Sequence, residues 1–578
     1  MIFVVWAIDG SWPAGALRQS IERVLQMAGG VRHECELGAV VVWSPSVYWR
    51  RGDVDIASSG VQASHPRVEF GRHGTLSIEA GTFPQYPFYF TSMLDNRCLL
   101  ACSRLAPLSD ILQHAPIDAV RMIGVMSWPS DGDSDLTIYS GIKRLRPCER
   151  LIASRQGMCI QREFPRIGGS YRRGKPADLA NELRCRLETS IERAIENTTR
   201  VGVFVSGGLD SSGVLALASR RPRISQHSIR AFSIICKTPG DDRPFFEEMI
   251  RSTGVGAERL FARDAGYWLR SSMCIDAQPA PPSSTCMSIL LASAAARWNA
   301  DVVLTGAGGD RVCGGVLPYA QLARRGHVLR AACGALRVRT PWPMDSYRRL
   351  KSMVVSPLLP HWLLPSVWVP WRRHAPSGPA WLSHRSRAIV REIAGSLRAR
   401  PLPDTPDAWL KELCSGYVLP SVADQSGQVA SITGCAPVDV FLDEDLVRFI
   451  VELEPQALSF GDEYRGLYRH AMKNVLPEMV RTRQDKARFE PAIAAAVSSS
   501  GREEELRDLA SLRELGARGL VEPAAFSSTF RDFLAVVAHG ERSYELPMDA
   551  HVQQVWQILA AEAFLREHGR GREILWNT

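Results

Sequence analysis

The stretch that most constrains this chain is the apolar run VGVFV at 201–205, followed at once by SGGLDSS at Ser206–Ser212 and then by GVLALASRR at 213–221. A short apolar run, a Gly-rich turn and a helix-compatible segment form the strand–turn–helix entry of a parallel sheet. Gly207 and Gly208 let the backbone approach a ligand closely, and the first turn of the following helix presents unpaired amide donors to an anion. Ser206 and Ser211 add hydroxyl donors, Asp210 offers a hard oxygen that suits magnesium, and Ser212 closes the stretch as a further nucleotide-binding candidate. Glycines alone would fit a plain tight turn. The whole heptapeptide between strand and helix favours a phosphate cradle. Without GK[ST] or a nearby lysine, it is not the Walker type.

With 578 residues the chain is too long for one core, so two domains are expected. A hydrophobic fraction of 45% against 22% charged places it among folded proteins and excludes a disordered or fibrous chain. The formal charge of +8 favours anionic partners without requiring nucleic acid. The 13 cysteines are scattered, and Cys98 and Cys102 lack a second pair to complete a zinc site, so a reduced, cytoplasmic chain is expected. The opening MIFVVWAIDG lacks a basic region and a cleavage site, and it reads as a strand. The apolar run from Met353 to Trp371 carries Pro357, Pro360, Pro365 and Pro370, which points to loops and short helices instead of a membrane span.

Residues 1–165 hold short apolar runs such as GAVVVW at 38–43 and RLIAS at 150–154, separated by turn residues; this part is β-rich. The basic, polar stretch 166–176 reads as a linker. Residues 177–578 begin with a helical pattern from Ala177 to Asn197 and continue with strands at 201–205, 231–235 and 301–306. A helix is expected over Arg243–Thr253, and from about 500 the chain reads almost entirely as helix.

SGGLDSS resembles the pyrophosphate loop of the N-type ATP pyrophosphatases, which cleave ATP between the α and β phosphates. LTGAGGDRVCGG at 304–315 is similar to the second nucleotide loop of their asparagine synthetase branch, and the resemblance gives Asp310 the role of a second magnesium ligand beside Asp210. It also places Phe204, Ile234, Thr305 and Gly306 around the nucleoside, although the residues themselves read as apolar strand ends. LPEMVRTRQDKARFEP at 476–491 resembles the segment with the branch's catalytic lysine, here Lys486. A cation there would neutralise charge developing on the α-phosphate. The bland alternative is a solvated turn with Arg481, Arg483 and Arg488. FLDEDLVRFIVELEP at 441–455 and VQQVWQILAAEAFLREH at 552–568 extend the likeness over most of the second half, whereas TIYSGIKRLRPCERLIA at 137–153 resembles only the last strands of a glutaminase-type domain. The implied architecture is an α/β two-domain protein. An N-terminal Ntn-hydrolase-like sandwich, a degenerate class II glutamine amidotransferase-like domain, spans 1–165; a linker spans 166–176. A doubly wound parallel synthetase domain of the adenine-nucleotide α-hydrolase type, with helical additions, spans 177–578.

Glutamine-using members carry a nucleophilic cysteine at position 2; here that position is Ile2, so an amine other than ammonia is expected to attack the adenylate. Two branches lack that cysteine, the β-lactam and carbapenam synthetases and the lasso peptide macrolactam synthetases. The β-lactam type has a tyrosine base three residues before the magnesium Asp, and Ala307 stands in its place. A peptide α-amine, with a pKa near ~8, needs little activation. The lasso cyclase likeness is therefore preferred, with ATP and Mg2+ as cofactors and a precursor peptide as substrate. The alternatives are a β-lactam-type ligase and an ammonia-using asparagine synthetase, the latter disfavoured by Arg311. The segment 337–385, with Trp342, Trp362, Trp368, Trp371 and Trp381, could contact a peptide or a leader-peptide protease, or pack as a helical insert.

Overall fold

The computed structural model describes residues 2–7, 19, 21–23, 31–35, 38–42, 67–71, 75–93, 98–127, 134–168, 170–196, 198–221, 228–236, 242–279, 284–314, 318–338, 345–355, 358–359, 379–398, 403–416, 418–435, 437–484, 490–539 and 551–576. The first part of the chain builds two antiparallel sheets. Strands β1 (Ile2–Ala7), β2 (Val31–Cys35), β3 (Gly38–Val42), β6 (Tyr89–Met93), β7 (Cys98–Cys102) and β8 (Lys143–Arg144) form a six-stranded sheet in the order β2-β3-β1-β7-β6-β8. Strands β4 (Arg67–Gly71), β5 (Thr75–Glu79), β9 (Glu149–Ser154) and β10 (Gly157–Arg162) form a second sheet in the order β10-β9-β5-β4.

Alternation along β7 explains how this part is held. Leu99 and Ala101 pack with Leu76, Ile78, Leu151 and Ala153 of the second sheet. Cys98, Leu100 and Cys102, on the opposite face, join a cluster with Trp556, Leu559 and Phe564. Both faces of the strand are covered, so CLLAC is continuously apolar.

The second part opens with α1 (Pro176–Ile195), whose Leu179, Leu183, Leu187 and Ile191 recur at helical spacing and are buried. Pro176 occupies its first position, where the missing N–H costs nothing. A parallel sheet follows, made of β11 (Val201–Phe204), β12 (Ile229–Ile235), β13 (Gly256–Phe261), β14 (Val302–Thr305) and β15 (Pro437–Asp439), in the order β13-β12-β11-β14-β15. Helices α2 (Leu209–Ala218), α3 (Arg243–Thr253) and α4 (Thr285–Arg297) connect its strands. Strand order reverses beside β11, and the crevice at such a switch point, outside the carboxyl ends of the strands, is where ligands bind in open α/β sheets.

The strands expected at 201–205, 231–235 and 301–306 correspond to β11, β12 and β14, and the helix over Arg243–Thr253 is α3. Two strands escaped the sequence pattern. GAERLF in β13 lies at a sheet edge with mostly exposed or half-exposed side chains, and PVD in β15 is short and begins with proline. No helix among the described residues is long and apolar enough to cross a membrane. Most of 353–371 lies outside the described residues.

Candidate active site

The first loop leaves β11 at Val205, whose N–H still donates to Phe232 in the sheet (2.9 Å). Gly207 has φ +78°, and a Cβ there would lie 2.7 Å from the Asp242 carbonyl oxygen. Glycine is therefore required twice, for conformation and for space. Ser211 Oγ accepts from the Ser206 N–H (3.2 Å), and Ser206 Oγ accepts from the Gly208 N–H (3.3 Å). Ser206 is exposed, Ser211 nearly buried, and Ser212 fully buried with no partner for its hydroxyl among the described residues. The loop's accessible hydroxyl thus belongs to Ser206. Gly208 caps α2 without a side chain, leaving the helix start uncovered.

The second loop leaves β14 and lies directly on the first. A Cβ on Gly306 would sit 2.6 Å from the Ser211 nitrogen, and one on Gly309 would sit 2.5 Å from Asp210 Oδ1. The two glycine-bearing turns are in contact through Gly306 and Gly309, and Asp310, the residue after Gly309, is exposed in the first helical turn after Gly308. Both carboxylates face Tyr464, whose phenol is pushed up to about 12, chiefly by burial. Ala307 is half-buried, and its N–H donates to Thr305 Oγ1 (3.1 Å).

Asp210 is not solitary. Arg465 grips it with both arms of its guanidinium, Nη1 donating to Oδ2 at 2.8 Å and Nη2 donating to Oδ1. Arg465 is buried, adopts φ +60°, and lies over the Tyr468 ring at 4.9 Å. A carboxylate offers about four lone-pair sites, so the fork leaves Asp210 room for a further ligand. The sequence carried one signal of this pair, Arg465 and Arg469 at i,i+4 around apolar residues, and that pattern reads equally as a solvated helix face.

Residues 476–484 and 490–491 of the segment 476–491 are described. Arg481 pairs with Glu478 at the surface, but Arg483 is buried, with its guanidinium 3.9 Å over Phe245, 2.5 Å from Asp242 and donating to the Gly207 carbonyl at 3.3 Å. Arg483 is therefore no solvated turn residue; it enters the first loop. Lys486 and Arg488 lie outside the described residues. Phe204 and Ile234 are half-buried at strand ends and pack on the cluster of Phe232, Val303 and Ile289; Thr305 is nearly buried. Trp342, Trp362, Trp368 and Trp371 lie outside the described residues, whereas Trp381 is core, edge-on to Phe526. The described cysteines are free thiols.

A protein of Mycobacterium bovis named as a glutamine-hydrolyzing asparagine synthetase is 26% identical over 239 residues, covering 39% of this chain and 34% of that protein. A counterpart of Mycobacterium tuberculosis matches to the same extent. Asparagine synthetase 3 of Bacillus subtilis, also named as glutamine-hydrolyzing, is 27% identical over 129 residues, 20% of this chain and 21% of that one. The matched stretch thus spans about a third or less of these relatives. Among solved structures, a U34-tRNA thiolase of Methanococcus maripaludis with its 4Fe–4S cluster aligns at 14% identity, over 42% of this chain and 78% of that chain, with a TM-score of 0.20. The asparagine synthase family description matches residues 182–566, more than half of the chain and all of the loops described above. The chain belongs to the asparagine synthase family.

Proposed function

We propose that this chain is an AMP-forming carbon–nitrogen ligase that adenylates an Asp or Glu side chain of a precursor peptide and closes a macrolactam with the peptide's N-terminal amine. The observation that carries the ATP half is the meeting of the SGGLDSS turn and the 305–310 turn at the switch point, where Gly309, the neighbour of Asp310 in the chain, lies against Asp210. Phe204, Ile234, Thr305 and Gly306 would flank the nucleoside. Ser206, Gly207, Gly208, Ser211 and the start of α2 would receive the phosphates, and Ser212 would support the turn from within. Magnesium, held by Asp210 and Asp310, would neutralise the pyrophosphate; the two oxygen donors on separate loops fit such an ion.

In this reading the substrate carboxylate attacks the α-phosphorus and pyrophosphate leaves. The amine then attacks the acyl carbon, AMP leaves, and one proton is released. Lys486, three residues after the buried Arg483, would supply positive charge where it develops. The choice of amine rests on Ile2 and Ala307, and a tethered amine has a high effective concentration. Residues 1–165 we read as a degenerate glutaminase-type scaffold and 166–176 as its linker, with a cytoplasmic location and a leader-peptide protease as the partner upstream.

Incubation with ATP, magnesium and the leader-cleaved candidate peptide should release AMP and pyrophosphate and give a product lighter by one water, with the new bond between the first residue and an internal Asp or Glu. ADP as product would overturn the whole reading. Consumption of a free β-amino acid alone would replace the peptide by a β-lactam-type substrate.

A further inference from the structure

Residues 82–87, between β5 and β6, are buried apart from the half-buried Tyr86, and they reach out of the β-rich part into the synthetase core. Phe83 packs with Leu442 and Leu446 in that core, and Thr82 Oγ1 donates to Glu444 at 2.9 Å. Gln85, 1% exposed, holds the outer edge of β15: its Nε2 donates to the Asp439 carbonyl (3.2 Å), and its Oε1 accepts from the Asp439 N–H (3.0 Å). Tyr86 donates its hydroxyl to the Pro437 carbonyl at 3.2 Å. The other edge of β15 pairs with β14 in a register that sets Asp439 opposite Thr305. Two side chains from the N-terminal half thus stand in for the ladder strand that an edge lacks.

Across the register pair, the Thr305 hydroxyl donates to Asp439 Oδ1 and accepts from the Ala307 N–H. Asp439 is 2% exposed, and its Oδ2 has no hydrogen-bond partner among the described residues. Enclosing a carboxylate with one oxygen unmatched is costly, so the tie to Thr305 is maintained against a penalty. Burial pushes this carboxyl up to about 6. The contacts run without a break from Gln85 through Asp439 and Thr305 to Ala307.

We propose that Gln85, acting through Asp439, is a positioning residue for the Thr305–Gly306–Ala307 turn, so that the N-terminal half sets the geometry of the second nucleotide loop. The proposal rests on the reading of Thr305 and Gly306 as nucleotide contacts. It gives a half without the position-2 cysteine a task in the reaction: the loop against which ATP would lie is tied through two hydrogen-bonded side chains to a strand edge that the other half holds.

The test uses the full chain, with hydrogen exchange of the peptide spanning 303–312 and calorimetric titration with α,β-methylene-ATP and magnesium. Gln85→Ala should raise exchange in that peptide and weaken the analogue about tenfold, the scale expected of a misplaced positioning group. Thr305→Val, which leaves the Gln85–Asp439 hydrogen bonds in place, should do the same, and Thr305→Ser should restore most of both. Asp439→Asn, which keeps an acceptor for Thr305, should stay closer to the parent than Asp439→Ala. Parent-like exchange and binding in both Gln85→Ala and Thr305→Val would overturn the proposal, as would equal losses in Thr305→Val and Thr305→Ser. If the parent chain failed to bind the analogue while the exchange pattern came out as expected, positioning would stand and the nucleotide reading would fall.

Discussion

Arg465 and Asp210 show how strongly a single residue can depend on one partner. The Arg465 side chain is 5% exposed and that of Asp210 20%, so removing the guanidinium strands a carboxylate in a largely enclosed place. Arg465→Ala should destabilise the chain by about 3 kcal/mol in chemical denaturation, and Arg465→Lys should recover only part because a single ammonium cannot form the fork. An Arg465→Ala variant as stable as the parent would show that the pair is not formed in solution. Asp439 gives a prediction in pH. Its carboxyl, pushed up to about 6 by burial, keeps its proton in the folded state at pH values where the unfolded chain has lost it. Its stabilising contribution is therefore complete below the ordinary Asp pKa and is lost as pH rises through about 6. Asp439→Asn removes that dependence, so its stability relative to the parent should rise by about 2–3 kcal/mol from pH 4 to pH 7, on a scale of about 1.4 kcal/mol per pKa unit. A constant difference across that range would refute the buried, protonated state.

At the scale of elements, residues 481–484 are held against the first loop by a chain of buried arginines. Arg469, buried, donates to the carbonyls of Arg481 and Arg483, the latter at 2.8 Å, and Arg483 in turn donates to Gly207. This fixes the approach of residues 481–484 to the first loop. The role proposed for Lys486, which lies outside the described residues, is open to a direct test. Lys486→Ala should lower the rate constant of pyrophosphate release about a hundredfold while changing ATP affinity little, because such a charge acts on the transition state more than on the bound nucleotide. An unchanged rate constant would return Lys486 to the role of a surface lysine. β11, β12 and β14 were legible as short apolar runs because both their faces are buried, and α1 and α3 because their apolar residues follow a helical pattern. β15 was not, since a three-residue strand has no period, and its place is decided by β14 on one side and Gln85 on the other. The burial of Arg483 was hidden for a related reason: a run of arginines can equally be solvated until the fold supplies Asp242, Phe245 and a loop carbonyl for one of them.

The whole molecule is tied together by side chains that cross from one half to the other. Arg144 of the β-rich part pairs with Asp424 at 2.7 Å, Asp276 accepts from the Leu105 and Ala106 amides, and a cluster is shared between β7 and the helix His551–His568. Phe83 extends the same union into the synthetase core. The chain should therefore unfold in one thermal transition, and Phe83→Ala should cost about 3–4 kcal/mol and lower that transition as a unit. Two separate transitions in the parent, with only one moved by Phe83→Ala, would show that the halves are independent. The sequence by itself determined the strand–turn–helix entry, the β-rich first part and the glycine-bearing loops, because local periodicity and the steric needs of close backbone approach are written in neighbouring residues. Tertiary structure alone decided that Arg465 takes Asp210, that Arg483 enters the first loop and that Gln85 reaches Thr305 through Asp439. Those partners are 255, 276 and 354 positions apart along the chain for Arg465–Asp210, Arg483–Gly207 and Gln85–Asp439, and only the packed sheet brings them within hydrogen-bonding range.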